Sequence, residues 1–139
     1  MSETFTRKLN VPDAKLTVSH ALPAAAADVD SATIDLHAAN NAALERAELV
    51  LNVDACPNAS DTTKNITLTV KDSANDSDYT AIASIATLVI PGVASTGTSA
   101  TERRLRLPSG TRRYLRVNAA VDSGGGTNTA KTFTAKLVF

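Results

Sequence analysis

The stretch Leu105-Arg-Leu-Pro-Ser-Gly-Thr-Arg-Arg-Tyr-Leu-Arg-Val-Asn-Ala-Ala-Val121 decides the predicted fold, because it indicates two strands joined by a tight turn. Pro108 suits the second position of a type I turn, and Gly110 suits the left-handed position that closes a three-residue loop. Successive side chains of a strand point to opposite sides of a sheet. The stretch therefore predicts a β-hairpin with one side facing the core and the other side facing away from it.

The two sides of the predicted hairpin differ in composition. One side carries apolar residues, namely Leu105, Leu107, Leu115, Val117, Ala119 and Val121. The other side carries Arg104, Arg106, Arg112, Tyr114, Arg116 and Asn118. Residues 103–116 contain six arginines and no acidic residue. Like charges this close repel one another, which favours a partner that supplies carboxylate or carbonyl oxygens.

We therefore predict one partner-binding surface, made of Arg103, Arg104, Arg106, Arg112, Arg113, Tyr114 and Arg116. The alternative is that the arginine stems only cover a half-wet sheet.

The length and the charge of the chain limit the possible functions. A chain of 139 residues is long enough for one domain with its own core. The 14 basic and 14 acidic residues give a formal net charge of zero, which does not favour nucleic acid or an anionic membrane as a partner. The charge is uneven, because residues 28–78 hold ten acids and three bases. This acidic segment can pair with the arginines of another copy, or fold against those of its own chain.

Signals for export are missing from the sequence. Cys56 is the single cysteine, which excludes a disulfide within the chain and a cysteine metal cluster. The first residues lack the apolar core of a signal peptide, and no stretch approaches the ~20 apolar residues of a membrane span. We therefore expect a soluble product of the cytoplasm without a membrane partner.

Alternating apolar and polar residues predict about eight short strands. The periods lie at 16–20, 32–37, 47–53, 66–71, 105–107, 114–121 and 133–139, and an apolar run occupies 79–90. Turn residues separate these segments, and the loop at 38–47 could include one helical turn. The pattern predicts an all-β protein, with residues 16–139 forming a single jelly-roll or β-sandwich domain of antiparallel strands.

Residues 1–15 show no sustained period and are predicted to form a flexible N-terminal arm. Phe5 and Leu9 lie four residues apart within it, beside Arg7 and Lys8. These four residues are a candidate contact with a neighbouring molecule, and plain disorder is the alternative.

Residues that could support catalysis or hold a cofactor are sparse. His20 and His37 are the only histidines, and a Gly-x-Ser-x-Gly motif is absent. The oxygen-rich segment 72–78 lacks the glycine and the distant glutamate of an EF-hand loop. The glycines at 124–126 open no predicted helix, and Tyr114 is the single aromatic residue among the arginines. We therefore expect no catalytic residue, no metal, no cofactor and no nucleic-acid partner.

Five segments carry a resemblance to a known family: Ile34-Asp-Leu36, Leu49-Val-Leu-Asn-Val53, Leu68-Thr-Val-Lys-Asp-Ser73, Leu105-Arg-Leu-Pro-Ser-Gly-Thr-Arg-Arg-Tyr-Leu-Arg-Val117 and Phe133-Thr-Ala135. In this order and spacing they resemble the small jelly-roll decoration (cement) proteins of tailed bacteriophage capsids. The resemblance spans roughly residues 32–139. His37-Ala-Ala-Asn-Asn41 stands where such proteins often have a glycine-rich turn.

The resemblance implies a structural virion protein that binds the outer surface of a phage head and cements neighbouring capsomers. It implies the major capsid protein as partner, a homotrimer or homodimer, and a place on the capsid exterior after synthesis in the bacterial host. The arginine surface would then pair with capsid carboxylates and carbonyls. A carbohydrate-binding jelly-roll module and a head-fibre base protein are the alternatives. Sugar sites usually stack on exposed tryptophan or tyrosine, and this chain has no tryptophan and two tyrosines.

Overall fold

A computed structural model describes residues 12–36 and 47–138 of the chain. These residues form ten strands and no helix, and every strand pairing is antiparallel. The described part of the chain accordingly offers no helix with the length and apolarity of a membrane span. The strands are β1 (Pro12–Ala21), β2 (Asp28–Asp30), β3 (Ile34–Asp35), β4 (Glu48–Val53), β5 (Asn65–Ser73), β6 (Thr80–Ala81), β7 (Leu88–Pro91), β8 (Thr101–Arg106), β9 (Tyr114–Val121) and β10 (Thr132–Val138).

The strands form two sheets. Sheet A has the order β1-β10-β4-β8, and sheet B has the order β2-β9-β5-β6. In sheet B, β3 also pairs with β9, and β7 also pairs with β5. If β2 with β3, and β6 with β7, count as two interrupted strands, the sheets hold eight strand positions in the order of a jelly roll. The prediction of an all-β sandwich is confirmed.

A core of mostly aliphatic side chains fills the space between the sheets. In β5, β9 and β10 every second residue points inward and is buried, as in Ile66, Leu68 and Val70 of β5. Among the residues that the structure describes, Phe133 of β10 is the one aromatic residue in the core cluster. Burial of one such large apolar side chain stabilises the fold by about 1.5–3 kcal/mol, so the period of two in the sequence determines which side of each strand faces inward.

The predicted hairpin at residues 105–121 is wrong. β8 pairs with β4 in sheet A, whereas β9 pairs with β5, β2 and β3 in sheet B. The segment between them crosses from one sheet to the other, and its turn is closed by the Thr111 N–H, which donates to the Pro108 carbonyl at 3.1 Å. Gly110 does not have a positive φ. The turn residues predict the chain reversal correctly, but the reversal joins two sheets.

Several predicted boundaries also differ from the structure. β1 begins at Pro12, whereas the sequence period begins at Leu16. The strand predicted at 32–37 corresponds to the two short strands β2 and β3, and the apolar run at 79–90 corresponds to β6 and β7. Residues 1–11, 37–46 and 139 lie outside the described residues, and with them the predicted arm contacts Phe5, Arg7, Lys8 and Leu9.

Candidate partner-binding surfaces

The residues predicted to form one binding surface lie on two sheets. Three of them belong to β8 of sheet A, namely Arg103, Arg104 and Arg106. The other four lie in β9 or just before it, on sheet B: Arg112, Arg113, Tyr114 and Arg116. The outer sides of the two sheets of a sandwich face in opposite directions. The structure therefore does not bring these residues together as a single surface.

Arg112 forms an internal ion pair with Asp72, a residue near the end of β5 whose side chain is 9% exposed. Its Nε and Nη2 donate to Asp72 Oδ1 at 2.9 and 2.6 Å, and its backbone N–H donates to Oδ2 at 2.9 Å. The hydrogen bond to Asp72 raises the pKa of Arg112. Arg112 thus connects the crossover before β9 to strand β5, which is a structural role.

Arg113 and Arg116 also pair within the chain. Arg113 donates from Nε and Nη2 to the two carboxylate oxygens of Asp35, at 2.9 and 3.0 Å. Arg116 donates from Nε to Thr33 Oγ1 at 3.0 Å, and its Nη2 lies 3.6 Å from Asp76 Oδ1. The acidic segment therefore supplies carboxylates to the arginines of the same copy, which is one of the two outcomes that the sequence left open.

Both tyrosines lie next to these arginines. The guanidinium carbon of Arg113 is 4.9 Å from the ring centre of Tyr114, and that of Arg116 is 4.4 Å from the ring centre of Tyr79. A guanidinium over a ring is a favourable cation–π contact. One face of each ring is thus occupied within the chain.

The oxygen-rich loop between β5 and β6 forms hydrogen bonds within itself and with Thr33. The Tyr79 hydroxyl donates to Asp76, and the Thr33 hydroxyl donates to the same carboxylate oxygen at 2.8 Å. Together these two hydrogen bonds lower the pKa of Asp76. Asn75 Nδ2 donates to Asp78 at 2.9 Å. Within residues 12–36 and 47–138, no group of three or more histidine, cysteine, aspartate or glutamate side chains is placed to hold a metal ion.

On sheet A, two of the three β8 arginines have partners. Arg103 Nη1 donates to the carbonyl of Thr87, just before β7, at 3.3 Å and so spans the gap between the two sheets. Arg104 lies 3.0 Å from Glu102 and 3.5 Å from Glu48. Arg106 is exposed and forms no ion pair with any residue that the structure describes.

The structure adds Lys136 to the cations of sheet A. It lies on the outer side of β10, in register with Val50 of β4, which is itself in register with Arg104. Like Arg106, Lys136 has no ion pair among the described residues. We name the surface formed by Glu48, Glu102, Arg104, Arg106 and Lys136 the sheet A outer face.

Sequence reasoning missed Lys136 because it lies far along the chain from the arginines. The alternation of inward and outward residues in β5 is sufficient to place Asp72 on the buried side. Asp72 continues the inward positions Ile66, Leu68 and Val70 of the same strand.

The Bbp16 family model matches residues 16–137 of the chain. The chain belongs to the Bbp16 family. Bbp16 is a phage-associated family, and this membership is consistent with a phage protein. The Bbp16 match includes β2 to β9 in full, and therefore includes Asp72, Arg104 and Arg112. No curated protein matches the chain.

Proposed function

We propose that the protein binds the outer surface of a phage head and cements neighbouring capsomers. Membership of the phage-associated Bbp16 family carries this proposal. The jelly-roll strand order supports it, because viral capsid proteins commonly use double-sheet jelly rolls. The proposed role is structural and needs no reaction. Its partners are the major capsid protein and further copies of the chain, and its place is the virion exterior after synthesis in the host cytoplasm.

The sheet A outer face is the proposed capsid contact. A cation that is free can pair with a capsid carboxylate or carbonyl without first breaking a bond within its own chain. Arg106 and Lys136 meet this condition among the described residues, whereas Arg112, Arg113 and Arg116 are bonded within sheet B. The arm residues Phe5, Arg7, Lys8 and Leu9 are proposed as a second contact.

Several weak contacts can act together in such a role. Stable protein interfaces bury about 1,200–2,000 Å² in total. An oligomer that touches several capsomers at once gains strength from the high effective concentration of its second and third contacts. Self-association of the protein would therefore strengthen a modest contact by each copy.

A sugar-binding role has less support. Sugar rings stack on free aromatic faces, and the two tyrosines of this chain, Tyr79 and Tyr114, each have an arginine over the ring. A ligand sugar would have to compete with these contacts or use the opposite ring face.

Co-sedimentation of the purified protein with undecorated capsid shells tests the proposed function. We expect saturation at a copy number that matches the symmetry axes of the shell, with weaker binding at high salt. K136E should weaken binding by about tenfold, because it replaces an attractive charge contact by a repulsive one. K64E, the same charge change between β4 and β5 and away from sheet A, is the matched control. Absence of binding at every salt concentration would overturn the proposal.

A further inference from the structure

The free edge of β8 indicates how copies of the chain associate. β8 pairs with β4 over six residues in unbroken register, from Thr101 with Val53 to Arg106 with Glu48. Among the described residues, no strand pairs with its other side. An edge strand presents unpaired backbone N–H and C=O groups, which are suited to pairing with another strand.

Two other edge strands, β1 and β7, are less suited to such pairing. β1 begins with Pro12, and its register with β10 shifts between Pro12 and Thr17. β7 has four residues and ends with Pro91. Proline cannot donate a hydrogen bond to a neighbouring strand. β8 has no proline within its six residues.

The charges of β8 are complementary to those of a second, antiparallel β8. Its outward side chains are Glu102, Arg104 and Arg106, and the Glu102 side chain is 51% exposed. If a two-fold axis passes through Arg104, Glu102 of each copy lies opposite Arg106 of the other. Opposite charges placed directly across two strands stabilise the pairing. This register places a carboxylate of the other copy beside Arg106, which lies opposite Glu48 in its own chain without forming an ion pair with it, and it leaves Lys136 for the capsid.

Neighbouring registers fit the charges less well. An axis through Arg103 places Glu102 opposite Arg104, but it also places the two Arg103 side chains opposite each other and leaves Arg106 opposite Ala100. An axis through Leu105 places Arg104 opposite Arg106, and like charges directly opposite each other are unfavourable. In the favoured register the two Arg104 side chains meet at the axis, but each already lies within 3.5 Å of Glu48 and 3.0 Å of Glu102 in its own copy.

The inner side of β8 also suits this register. Arg103 of each copy would lie opposite Leu105 of the other, and Leu105 is only partly buried in the single chain. The apolar stem of an arginine can cover such a leucine while its charged end stays in water.

We propose that two copies of this chain pair antiparallel through β8, with the two-fold axis at Arg104 and reciprocal pairs between Glu102 and Arg106. Sheet A then continues across the axis into a sheet of eight strands. This dimer rests on the proposed function, because it specifies how copies of the chain associate in that role.

Charge reversal tests this interface in the full chain by sedimentation equilibrium. E102R and R106E each create two like-charge contacts in the dimer, so each should weaken dimerisation by about tenfold. The double variant E102R/R106E restores the opposite charges and should return close to the wild-type affinity. K136E changes the charge of the same face away from the edge and should leave dimerisation unchanged.

A cysteine at the axis gives a second measurement of the same geometry. Residues directly opposite in antiparallel strands have Cα atoms about 4.5–5.5 Å apart, within the reach of a disulfide. R104C should therefore form a disulfide-linked dimer under mild oxidation, whereas K136C should not. Cys56 is buried and present in both variants.

A wild-type chain that stays monomeric at low salt would overturn the inference, and so would an R104C variant that fails to cross-link. Capsid co-sedimentation separates this failure from that of the proposed function. Monomers that bind shells would refute the β8 pairing alone, and β8 dimers that bind no shell would refute the cement role alone.

Discussion

Neighbouring arginines of β9 and its approach contribute unequally to stability, because their carboxylates differ in burial. The Asp72 side chain is 9% exposed, whereas that of Asp35 is 33% exposed. A carboxylate withdrawn from water needs hydrogen bonds and a cation, and Arg112 supplies both to Asp72. Each member of an exposed pair such as Asp35 and Arg113 stays well solvated when its partner is removed. The same residue type is thus a structural requirement at one position and a minor contributor at the next.

Substitution of the two aspartates should show this difference. D72A removes the acceptor of several hydrogen bonds near the core and should lower the free energy of unfolding by about 1–3 kcal/mol. D35A removes the partner of an exposed arginine and should cause a smaller loss. Urea unfolding of both variants beside the wild type measures the two effects. Equal losses would contradict the assigned roles of Arg112 and Arg113.

The pKa of Asp76 gives a second prediction for a single residue. Hydrogen bonds from Tyr79 and Thr33 hold this pKa below its ordinary value. A carboxyl group whose pKa is lowered by folding stabilises the fold above its unfolded pKa, and this contribution is lost as the pH falls through the folded pKa. Y79F should therefore raise the pKa of Asp76 and reduce the loss of stability in acid.

Carbon-detected NMR titration of the side-chain carboxyls measures this shift. Asp61 is the internal control, because its pKa is lowered by Thr63 and not by Tyr79. An Asp76 pKa that is the same in Y79F and the wild type would show that the Tyr79 hydrogen bond does not act on this carboxylate.

The strands show what a pattern of apolar residues can and cannot predict. Alternation predicts β4, β5, β9 and β10, because each buries every second side chain against the core. It does not predict the exact limits of strands of two to four residues such as β3 and β6, which are too short for a period. It also cannot assign a strand to a sheet, since a hairpin turn and a crossover both reverse the chain. For this reason the sequence predicts a β8–β9 hairpin, whereas the structure separates the two strands.

Gly110 distinguishes a hairpin turn from the crossover. A three-residue hairpin loop would need a positive φ at this glycine, whereas the crossover does not, and a Cβ at Gly110 would meet nothing within 4 Å. G110A should therefore leave the free energy of unfolding unchanged or raise it by about 0.4–1 kcal/mol, because alanine restricts the unfolded chain. Thermal and urea unfolding of G110A measure this effect.

G126A is the matched control for this prediction. Gly126 has a φ of +81°, and a Cβ there would lie 2.0 Å from the Asn58 carbonyl oxygen. This variant should lose stability clearly. A loss in G110A as large as that in G126A would contradict the crossover.

For the molecule as a whole, folding redistributes the charge that the sequence separates. The acids of residues 28–78 and the arginines of residues 103–116 lie far apart along the chain, yet Asp35 and Arg113, 78 residues apart, form a bidentate pair. Composition predicts the number of charges but not their partners, because partners depend on which strands become neighbours. The prediction of one arginine surface therefore fails, while Arg104 and Arg106 remain on a face with Lys136. Among the described residues, the exposed cations of the sheet A outer face and the edge of β8 are the features to which we assign partners.

The release of DNA from phage heads on heating tests the cement role most directly. Heads assembled without this protein should release their DNA at a lower temperature than wild-type heads, and added purified protein should restore the wild-type temperature. K136E should restore it less well than K64E at the same protein concentration, since the proposed contact lies on sheet A. Heads that release DNA at the same temperature with and without bound protein would contradict the claim that this chain stabilises the shell.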